Sequence, residues 1–464
     1  MAHFCPAYPP PRKSRASGLL MFLSARRSWL DALYERSYRM QMGEVHLPGL
    51  DLYMVNEPGL VRQVMTEQVE RFPKSALLGR ALRPLLGESI FTTNGAQWRR
   101  QRDMMDPAFA QARLNVAFPV MRAATDAMLA RLATLSDGAE YDVEIEMTHV
   151  TADIIFRTIF SVPMEGADAR RVFEAFARFQ AQVPRLMMPS IFGVRWLVWP
   201  WDAWKGRQAA RDIRGLLETL IRPRFDAARA GQPHPHVDIL AAFLDARDPD
   251  SGAPFGFDEL VDQVAMLFLA GHETSASALT WACHLLANAP DVQQRLHDEV
   301  TQHCGERAPE LADIKALTLT RNVFREALRL FPPVGFMARQ ASTGGCPLHM
   351  RDKTVPDGAT VVVAPWLIHR HRQWWSHPDA FDPDRWDGER DRDATRHAYL
   401  PFGMGQRVCL GAAFALQEAT LILARLVRQY RLEAVPGHVP RPVGRLTIRS
   451  ANGVRLQLHR RATP

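Results

Sequence analysis

The longest uninterrupted helical pattern in this 464-residue chain lies at 258–289 and reads DELVDQVAMLFLAGHETSASALTWACHLLANA. It contains no proline, and Pro290 marks its end. At a rise of 1.5 Å per residue, such a helix is about 48 Å long, which is enough to cross a whole domain. Every residue from Val264 to Ala270 is apolar, so we expect this part to be buried on all sides. The sequence GHETS then places polar groups inside the helix, and buried polar groups need partners or a function.

Most of the remaining chain also has helical periodicity, and strand patterns are few. The other helical patterns lie at 57–70, 97–111, 114–135, 141–160, 168–183, 203–229 and after Cys409. Strand patterns lie at 44–55, twice within 354–370, and in a final hairpin with Asn452–Gly453 at its turn. These patterns predict a mainly α protein with small β-sheets (α+β) near the two ends. We expect residues 1–17 to form a flexible segment and residues 18–464 to form a single domain.

Composition and charge exclude several classes of protein. The formal net charge is +7 and comes almost entirely from scattered arginines, because the chain has only five lysines. No long basic block occurs, so we expect no nucleic-acid partner. The apolar run GLLMFLSA near the N-terminus is too short to span a membrane, which takes about 20 residues. It weakly resembles a signal peptide, but an amphipathic pattern follows it directly, so we expect a cytoplasmic protein without an integral membrane anchor.

Five cysteines occur, and one of them lies in an unusual setting. They are few, odd in number and widely spaced, which favours a reducing compartment over a disulfide scaffold. Cys409 lies in FGMGQRVCLG, residues 402–411, directly before a helical pattern whose N-terminal N–H groups would lower the pKa of its thiol. No further zinc ligands lie at close spacing. A haem iron needs only one protein ligand on one face, and a catalytic thiol or a buried free cysteine are the alternatives.

The pattern Phe402-x-x-Gly405-x-Arg407-x-Cys409-x-Gly411 resembles the haem-binding signature of the cytochrome P-450 family. The resemblance implies the cytochrome P-450 fold, with a long central helix that crosses over the haem. It implies haem b, iron protoporphyrin IX, with Cys409 as the axial ligand of the iron. It also implies that Phe402 packs near the sulfur, that Arg407 pairs with a haem propionate, and that Gly405 and Gly411 let the chain pass close to the haem.

The segment Ala270-Gly271-His272-Glu273-Thr274 in the long helix matches a second motif of this family. In the family, the matching acid and alcohol deliver protons during dioxygen activation, which implies this catalytic role for Glu273 and Thr274. Ala270 and Gly271 are small and leave room for the cofactor and its ligands. His272 is expected at the surface or in a groove and not as a metal ligand. A tolerated polar kink is the alternative, because a threonine hydroxyl can bond to a carbonyl of its own helix.

A third motif pairs Glu326 with Arg329 at i, i+3 on a helix that ends at two prolines. In the family this pair is buried and is joined by an arginine from a later segment, here FDPDRW, which makes Arg385 the third member. The segment departs from the family pattern at Asp384 and Trp386. The resemblance implies a structural role for the three charged groups, and a solvated surface pair is the alternative.

The remaining family matches concern the haem propionates. Trp98 and Arg102 lie at i, i+4 on one helix face, and Arg339 follows in PPVGFMAR. The resemblance implies that all three hold the propionates, and the arginine fork suits carboxylates. The neighbouring Arg99 and Arg100 are expected to face outward, either towards an acidic electron donor or simply towards solvent. The motifs occur in the order that the family shows and span residues from about 90 to 415.

The resemblance implies a haem-thiolate monooxygenase that activates dioxygen with two externally supplied electrons and hydroxylates or epoxidises a hydrophobic small molecule. The sequence has no dinucleotide-binding glycine pattern, so we expect no flavin or NAD site in this chain. A separate ferredoxin or flavodoxin with an NAD(P)H-dependent reductase would then supply the electrons, and the protein would be a monomer. The alternatives are a haem-thiolate isomerase or dehydratase that needs no external electrons, and a non-enzymatic haem-binding sensor.

The expected substrate pocket is apolar. The segments that carry substrate contacts in the family hold, in this chain, Leu77, Ile90, Phe91, Phe268, Val334, Phe336 and Leu446. Such a lining predicts a lipid-like, terpenoid or other hydrophobic substrate, and plain core packing is the alternative. Residues 187–204 are unusually aromatic, which indicates a lid over the pocket or a surface that touches a membrane.

Overall fold

The computed structural model describes residues 3–13, 28–47, 50–164, 171–172, 174–176, 178–179, 200–233 and 235–461, without the side chains of residues 47, 77, 78 and 200. Its helices are α1 (Pro58–Arg62), α2 (Ala76–Leu86), α3 (Gly95–Met105), α4 (Gln111–Leu132), α5 (Val143–Phe160), α6 (Pro200–Arg229), α7 (Ile239–Asp245), α8 (Phe257–Ala287), α9 (Pro290–Cys304), α10 (Thr318–Leu330), α11 (Pro365–Ile368), α12 (Arg392–His397) and α13 (Ala412–Gln429). Two 3-10 helices, Trp29–Ala32 and Glu35–Tyr38, precede the first strand. The described part is thus mainly helical, as the sequence predicts.

The strands are short and form four small sheets within the described ranges. They are β1 (Met42–Leu47), β2 (Leu50–Val55), β3 (Ala139–Asp142), β4 (Met337–Gln340), β5 (Leu348–Met350), β6 (Lys353–Val355), β7 (Thr360–Val363), β8 (Tyr430–Ala434), β9 (Pro442–Gly444), β10 (Ile448–Ser450) and β11 (Arg455–Arg460). The largest sheet has the order β1-β2-β7-β4, and the others are β3-β11-β8, β9-β10 and β5-β6. The hairpin β1–β2 therefore joins strands from the second half of the chain, with β2 parallel to β7.

Helix α8 confirms the long helix that the sequence predicts. It has 31 residues, and Pro290 stands at the first position of α9, where its missing N–H costs nothing. Residues from Leu260 to Leu269 are all buried, because α2, α5 and α6 pack around them. The N-terminal half of α8 belongs to one hydrophobic core with α5, α6 and α7, and its C-terminal half to another with α4, α10 and α13. Within the described ranges, no helix combines the length and the apolar character needed to span a membrane.

Two local predictions need correction, and a third is only partly described. The predicted helix 57–70 contains α1, a π-helical turn (Gln63–Glu67) and a 3-10 turn (Val69–Arg71). The two strand patterns within 354–370 are confirmed as β6 and β7, which lie in different sheets, but the second strand ends at Val363 because Pro365 starts α11. The pattern 168–183 lies largely outside the described residues.

The predicted final hairpin with its turn at Asn452–Gly453 is also wrong. Strand β10 pairs with β9, and β11 pairs with β8 and β3. The reason is a contact that the local pattern does not contain: the Asp142 carboxylate accepts the Val454 N–H at 3.1 Å. Gly453 has φ of 75°, and a Cβ there would lie 2.3 Å from Asp142 Oδ2. The chain therefore turns away from β10 and joins the sheet that contains β3.

Residues 3–13 pack against the core, whereas the sequence predicts a flexible segment over 1–17. The Phe381 N–H donates to the Phe4 carbonyl at 2.8 Å, and the Arg12 N–H donates to the Leu33 carbonyl at 2.9 Å. The Tyr8 ring lies edge-on to Trp366 at 6.2 Å between ring centroids. Aromatic side chains within a proline-rich stretch thus anchor it.

Candidate functional site

A cavity of about 1000 Å³ brings together most of the predicted site residues. It lies against α8, α3, β4, the loop 402–411 and one face of the sheet β1-β2-β7-β4. The predicted site residues that border it are Trp98, Arg102, Ala270, Gly271, Glu273, Thr274, Arg339, Phe402, Arg407, Cys409 and Gly411. The predicted substrate contacts that border it are Ile90, Phe91, Val334, Phe336 and Leu446. Residues far apart in the sequence therefore border one cavity.

Cys409 faces this cavity from the loop before α13. Its N–H donates to the Phe402 carbonyl at 2.9 Å, which closes the loop on itself. The Cys409 side chain is exposed to this cavity, but desolvation by the surrounding protein raises the pKa of its thiol, although the Gly411 N–H and the Arg102 charge lower it. We predicted a net lowering by the helix terminus, and the structure corrects this: desolvation outweighs the donors. Without a metal ion at the sulfur, the thiol form of Cys409 is therefore favoured over the thiolate.

Two glycines of this loop have separate reasons to be glycine. Gly405 has φ of 69°, and a Cβ there would lie 2.5 Å from the Met65 carbonyl oxygen in the π-helical turn. Gly405 does not border the cavity, so it fixes the loop against the protein and not against a ligand. Gly411 has no protein atom within 4 Å of where a Cβ would be, and it does border the cavity. Only Gly411 thus leaves free space on the cavity side.

A cluster of cations lies on another wall of the cavity. It consists of Lys74, Arg102, Arg339 and Arg407, and the Trp98 ring lies 5.2 Å from the Arg407 guanidinium and 5.6 Å from Lys74 Nζ. Burial lowers the pKa of Lys74 to about 6, and the three guanidinium groups add to this lowering. Burial, with Arg407, lowers the pKa of Arg339 to about 10. The cluster is therefore electrostatically unfavourable without an anion.

The polar atoms of this cluster show where the anion would bind. Among the described residues, Arg407 Nε and Nη1 and Arg339 Nε are buried without a hydrogen-bond partner. Buried arginine N–H groups without acceptors are costly, so they fit a buried dianion such as the two propionates of haem. Arg102 differs, because its Nη1 donates to the Val408 carbonyl at 2.8 Å and its Nε to Asp106 at 2.5 Å. Arg102 thereby links α3 to Val408, the residue before Cys409.

Lys74 is a site residue that the sequence analysis missed. It lies in a loop before α2, and its Nζ donates to the carbonyls of Ile90 and Thr93. Its backbone forms an isolated bridge with Arg339. The only sequence signal is its rarity, since it is one of five lysines in an arginine-rich chain.

The expected structural cluster is present behind the loop. Arg329 Nη2 donates to Glu326 Oε1 at 2.7 Å, and Arg385 Nε donates to the same oxygen at 2.9 Å. All three side chains are fully buried. Arg329 also donates to the carbonyls of His369, Pro378 and Ala380, while Arg385 also contacts Asp391. Every charge in the cluster is paired and hydrogen-bonded, which is what makes buried charges tolerable.

Glu273 is bound by the C-terminal sheet. Arg449 donates to both of its carboxylate oxygens, at 3.0 and 2.6 Å, and the Thr447 hydroxyl donates to it at 2.7 Å. Burial alone would raise the pKa of Glu273, but Arg449 lowers it to about 2. Arg449 also donates to Glu144 on α5 at 3.1 Å. The Thr274 hydroxyl donates to the Ala270 carbonyl at 2.7 Å on the cavity side of α8.

A second buried acid, Glu418 on α13, was also missed. Burial raises its pKa to about 8, against a smaller lowering by a hydrogen bond with Ser275. Ser275 follows Thr274 directly on α8. The available signal was an acid within the apolar helical run FALQEATLIL. Glu273 on α8 is thus ionised at neutral pH, whereas Glu418, which bonds to Ser275 on the same helix, is protonated.

Three predicted placements on α8 are corrected. His272 is buried and not at a surface or in a groove: its Nδ1 lies 2.6 Å from the Phe268 carbonyl oxygen, and burial lowers its pKa. Phe268 is fully buried core, 4.6 Å from Phe176 between ring centroids, because its side chain points away from the cavity. Gly271 borders the cavity, but a Cβ there would lie 3.0 Å from Ile155, so its small size serves packing against α5.

Three further expectations concern the pair Arg99 and Arg100 and two places that the structure does not describe. Arg99 is exposed and pairs with Glu70 at 3.2 Å. Arg100 is only partly exposed and pairs with Glu259, so it does not face outward freely. The side chain of Leu77 and residues 187–199 lie outside the described part.

The comparisons with known proteins agree with this geometry. The model of the family described as Cytochrome P450 matches residues 23–453. Cyclooctatin synthase of Streptomyces melanosporofaciens is 33% identical over 404 residues, which cover 86% of this chain and 84% of that protein. Pentalenene oxygenase of Streptomyces avermitilis is 32% identical over 409 residues, which cover 88% of this chain and 87% of that protein. Cyclooctat-9-en-7-ol 5-monooxygenase of Streptomyces melanosporofaciens is 32% identical over 394 residues, with 85% and 83% covered.

A solved structure supports the fold. The heme domain of cytochrome P450DA has a TM-score of 0.79 to this chain at 24% identity, with 91% of this chain and 90% of that chain covered. This likeness shows the fold, while the family match and the relatives above 30% identity show the family. The chain belongs to the cytochrome P450 family of haem-thiolate monooxygenases.

Proposed function

We propose that this enzyme uses dioxygen and two externally supplied electrons to hydroxylate or epoxidise a hydrophobic small molecule. The observation that carries the proposal is the single cavity of about 1000 Å³ that contains Cys409, the cation cluster and Thr274. A thiol, a dianion site and a hydroxyl within one largely apolar space are what a haem-thiolate oxygenase needs.

The chain's own residues fit haem b. The Cys409 sulfur would bind the iron, and Lys74, Arg339 and Arg407 would bind the propionates. Arg102 would act through the Val408 carbonyl, by holding the loop that carries the ligand. Phe402 borders the cavity next to this loop, as expected for a ring near the sulfur. Haem, when bound, would supply the activation of dioxygen.

The proton path would use Thr274, whose hydroxyl borders the cavity and donates to the Ala270 carbonyl at 2.7 Å. A hydroxyl bonded in this way keeps its lone pairs available to accept from water. Glu273 is an ionised carboxylate bound by Arg449. It would therefore accept a proton only transiently and pass it on, and would not carry one at neutral pH. Glu418 is protonated at neutral pH and bonds to Ser275, so it would be the acid that stores a proton on this side of α8.

The substrate would be lipid-like, terpenoid or similarly apolar. Ile90, Phe91, Val334, Phe336 and Leu446 all border the cavity. Apolar walls with few polar groups bind ligands through burial and orient them weakly through hydrogen bonds. The relatives' names, an oxygenase of pentalenene and a monooxygenase of cyclooctat-9-en-7-ol, support the same class.

The electrons would come from a separate ferredoxin or flavodoxin with an NAD(P)H-dependent reductase. We place the enzyme in the cytoplasm as a monomer, and the unpaired state of all five cysteines fits a reducing compartment. Arg99 offers one exposed cation on α3 for an acidic donor, although it already pairs with Glu70.

The test has two steps. The reduced, carbonyl-bound protein should show the red-shifted Soret band of thiolate-ligated haem, and Cys409→Ala should abolish it. NAD(P)H-dependent oxygen uptake with a surrogate ferredoxin and reductase should then rise when an accepted substrate is added. Conversion of a hydroperoxide without electrons would favour the isomerase or dehydratase alternative. Binding without turnover under any electron supply would favour the sensor.

A further inference from the structure

We propose that Trp29 is a specificity-determining residue of the cavity, an inference that rests on the proposed function. Trp29 begins a 3-10 helix near the N-terminus, more than 300 residues before the segments that it touches. Nevertheless, its indole borders the same cavity as Cys409 and Thr274. It was not among the substrate contacts that the sequence predicts.

The Trp29 indole fills a slot between two glycines. A Cβ at Gly335 would lie 2.3 Å from Cη2 of the indole, and a Cβ at Gly444 would lie 2.3 Å from Cε2. Neither glycine has a positive φ, so backbone conformation does not explain them. The indole itself does, because any larger side chain at either position would expel it.

Directional contacts hold the ring in this slot. Its Nε1 donates to the Arg445 carbonyl at 3.2 Å, and its ring lies 4.0 Å from that of Phe336 between centroids, tilted by 38°. The preceding Ser28 accepts the Gly444 N–H at 2.9 Å through its hydroxyl oxygen. Few rotamers of Trp29 allow its ring to pack against Phe336, to fit between the two glycines and to donate this hydrogen bond at once. The indole therefore presents one fixed surface to the cavity.

The neighbours of the slot show what that surface does. Gly335 lies between Val334 and Phe336, and Gly444 lies two residues before Leu446. These three apolar residues border the cavity with Trp29. Trp29 thus adds an aromatic wall next to them and fixes how far apart their two segments stand. The size of this side chain therefore limits which ligands fit beside them.

Azole ligands test this without catalytic turnover, because they bind the haem iron directly and shift its spectrum. Imidazole, phenylimidazole and clotrimazole form a series of increasing bulk. For the holoenzyme with Trp29→Ala, we expect the affinity for clotrimazole relative to imidazole to rise by about tenfold or more, since a pocket that gains several methylene volumes gains discrimination of this order. Trp29→Phe keeps a ring against Phe336, so this variant should fold. It should shift the clotrimazole-to-imidazole affinity ratio in the same direction as Trp29→Ala, but by less.

Trp374→Ala is the matched control. Trp374 is also a partly buried indole, stacked 5.6 Å from His371 between centroids, but it does not border the cavity. It should leave the clotrimazole-to-imidazole ratio unchanged even where it lowers stability. Equal ratios in wild type, Trp29→Ala and Trp29→Phe would overturn the inference and leave Trp29 a packing residue. Failure of the proposed function is distinguishable, because it would appear in the wild type as a missing thiolate Soret band or as an absence of substrate-dependent oxygen uptake.

Discussion

Arg449 binds Glu273 through two hydrogen bonds, from Nε to Oε1 at 3.0 Å and from Nη2 to Oε2 at 2.6 Å. The two residues are 176 positions apart, and their pairing ties the middle of α8 to β10. The same arginine reaches Glu144 on α5, so one guanidinium links three elements above the cavity. The expected proton-relay acid is therefore also a structural anchor.

Replacing Arg449 should be costly because it leaves Glu273 buried and unpaired. We expect Arg449→Met to lower the free energy of unfolding by about 3–5 kcal/mol. Because the folded pKa of Glu273 is about 2, its stabilising effect is present above the unfolded pKa of 4.5 and is lost as pH falls from there towards 2. Denaturant titrations from pH 7 to pH 3.5 should show a shallower loss of stability for Arg449→Met. The double variant Arg449→Met with Glu273→Gln should recover part of the loss, and additive effects would show that the two residues do not interact.

Glu418 should give the opposite pH dependence. Its folded pKa of about 8 lies above the unfolded value of 4.5, so its contribution is full below pH 4.5 and is lost as pH rises to about 8. Each pKa unit is worth about 1.4 kcal/mol, so the effect is large enough to measure. We expect Glu418→Gln to become more stable relative to wild type as pH rises from 5 to 8. Glu389→Gln, at a carboxylate that is 81% exposed, is the control and should track the wild type.

The local motifs were predictable because their residues are close in sequence. Glu326 and Arg329 share a helix face by spacing alone, and α8 follows from an unbroken apolar run. Arg385 and Cys409 could be placed only through the family resemblance, since their partners come from other segments. The order and spacing of the family motifs therefore located these two residues, which helical periodicity alone could not do.

What the sequence could not give depends on tertiary contacts. Arg449, Lys74 and Trp29 matter through residues that lie across the fold, and nothing in their own neighbourhoods distinguishes them. The prediction of a final hairpin was wrong for the same reason, because Asp142 accepts the Val454 N–H and redirects the chain at Gly453. The pKa of Cys409 was predicted in the wrong direction, because a helix terminus is visible in the sequence and the depth of burial is not.

The Glu326 cluster should be far more sensitive than a surface pair of the same chemistry. Arg385→Ala leaves Glu326 with one fewer partner in a fully buried site, so we expect a loss of about 3–5 kcal/mol or failure to fold with haem. Arg295 and Asp384 form a comparable pair at 2.6 Å, but their side chains are 50% and 53% exposed. Arg295→Ala should therefore cost less than about 1 kcal/mol. Similar losses for the two variants, measured by denaturation of the holoenzyme, would contradict the structural role of the cluster.

Lys74 should show effects of opposite sign in the haem-free and haem-bound protein. Without an anion, burial and the nearby guanidinium groups of Arg407 and Arg339 lower the pKa of Lys74 to about 6, so folding at neutral pH must remove its proton and Lys74→Met should raise the melting temperature of the haem-free protein. With haem, the same change removes a cation from the propionate site, so haem loss to apomyoglobin should become faster. Lys205→Met changes the same charge on the exposed face of α6 and should alter neither measurement. If Lys74→Met destabilised the haem-free protein and left haem loss unchanged, Lys74 would be a structural residue and the propionates would bind elsewhere.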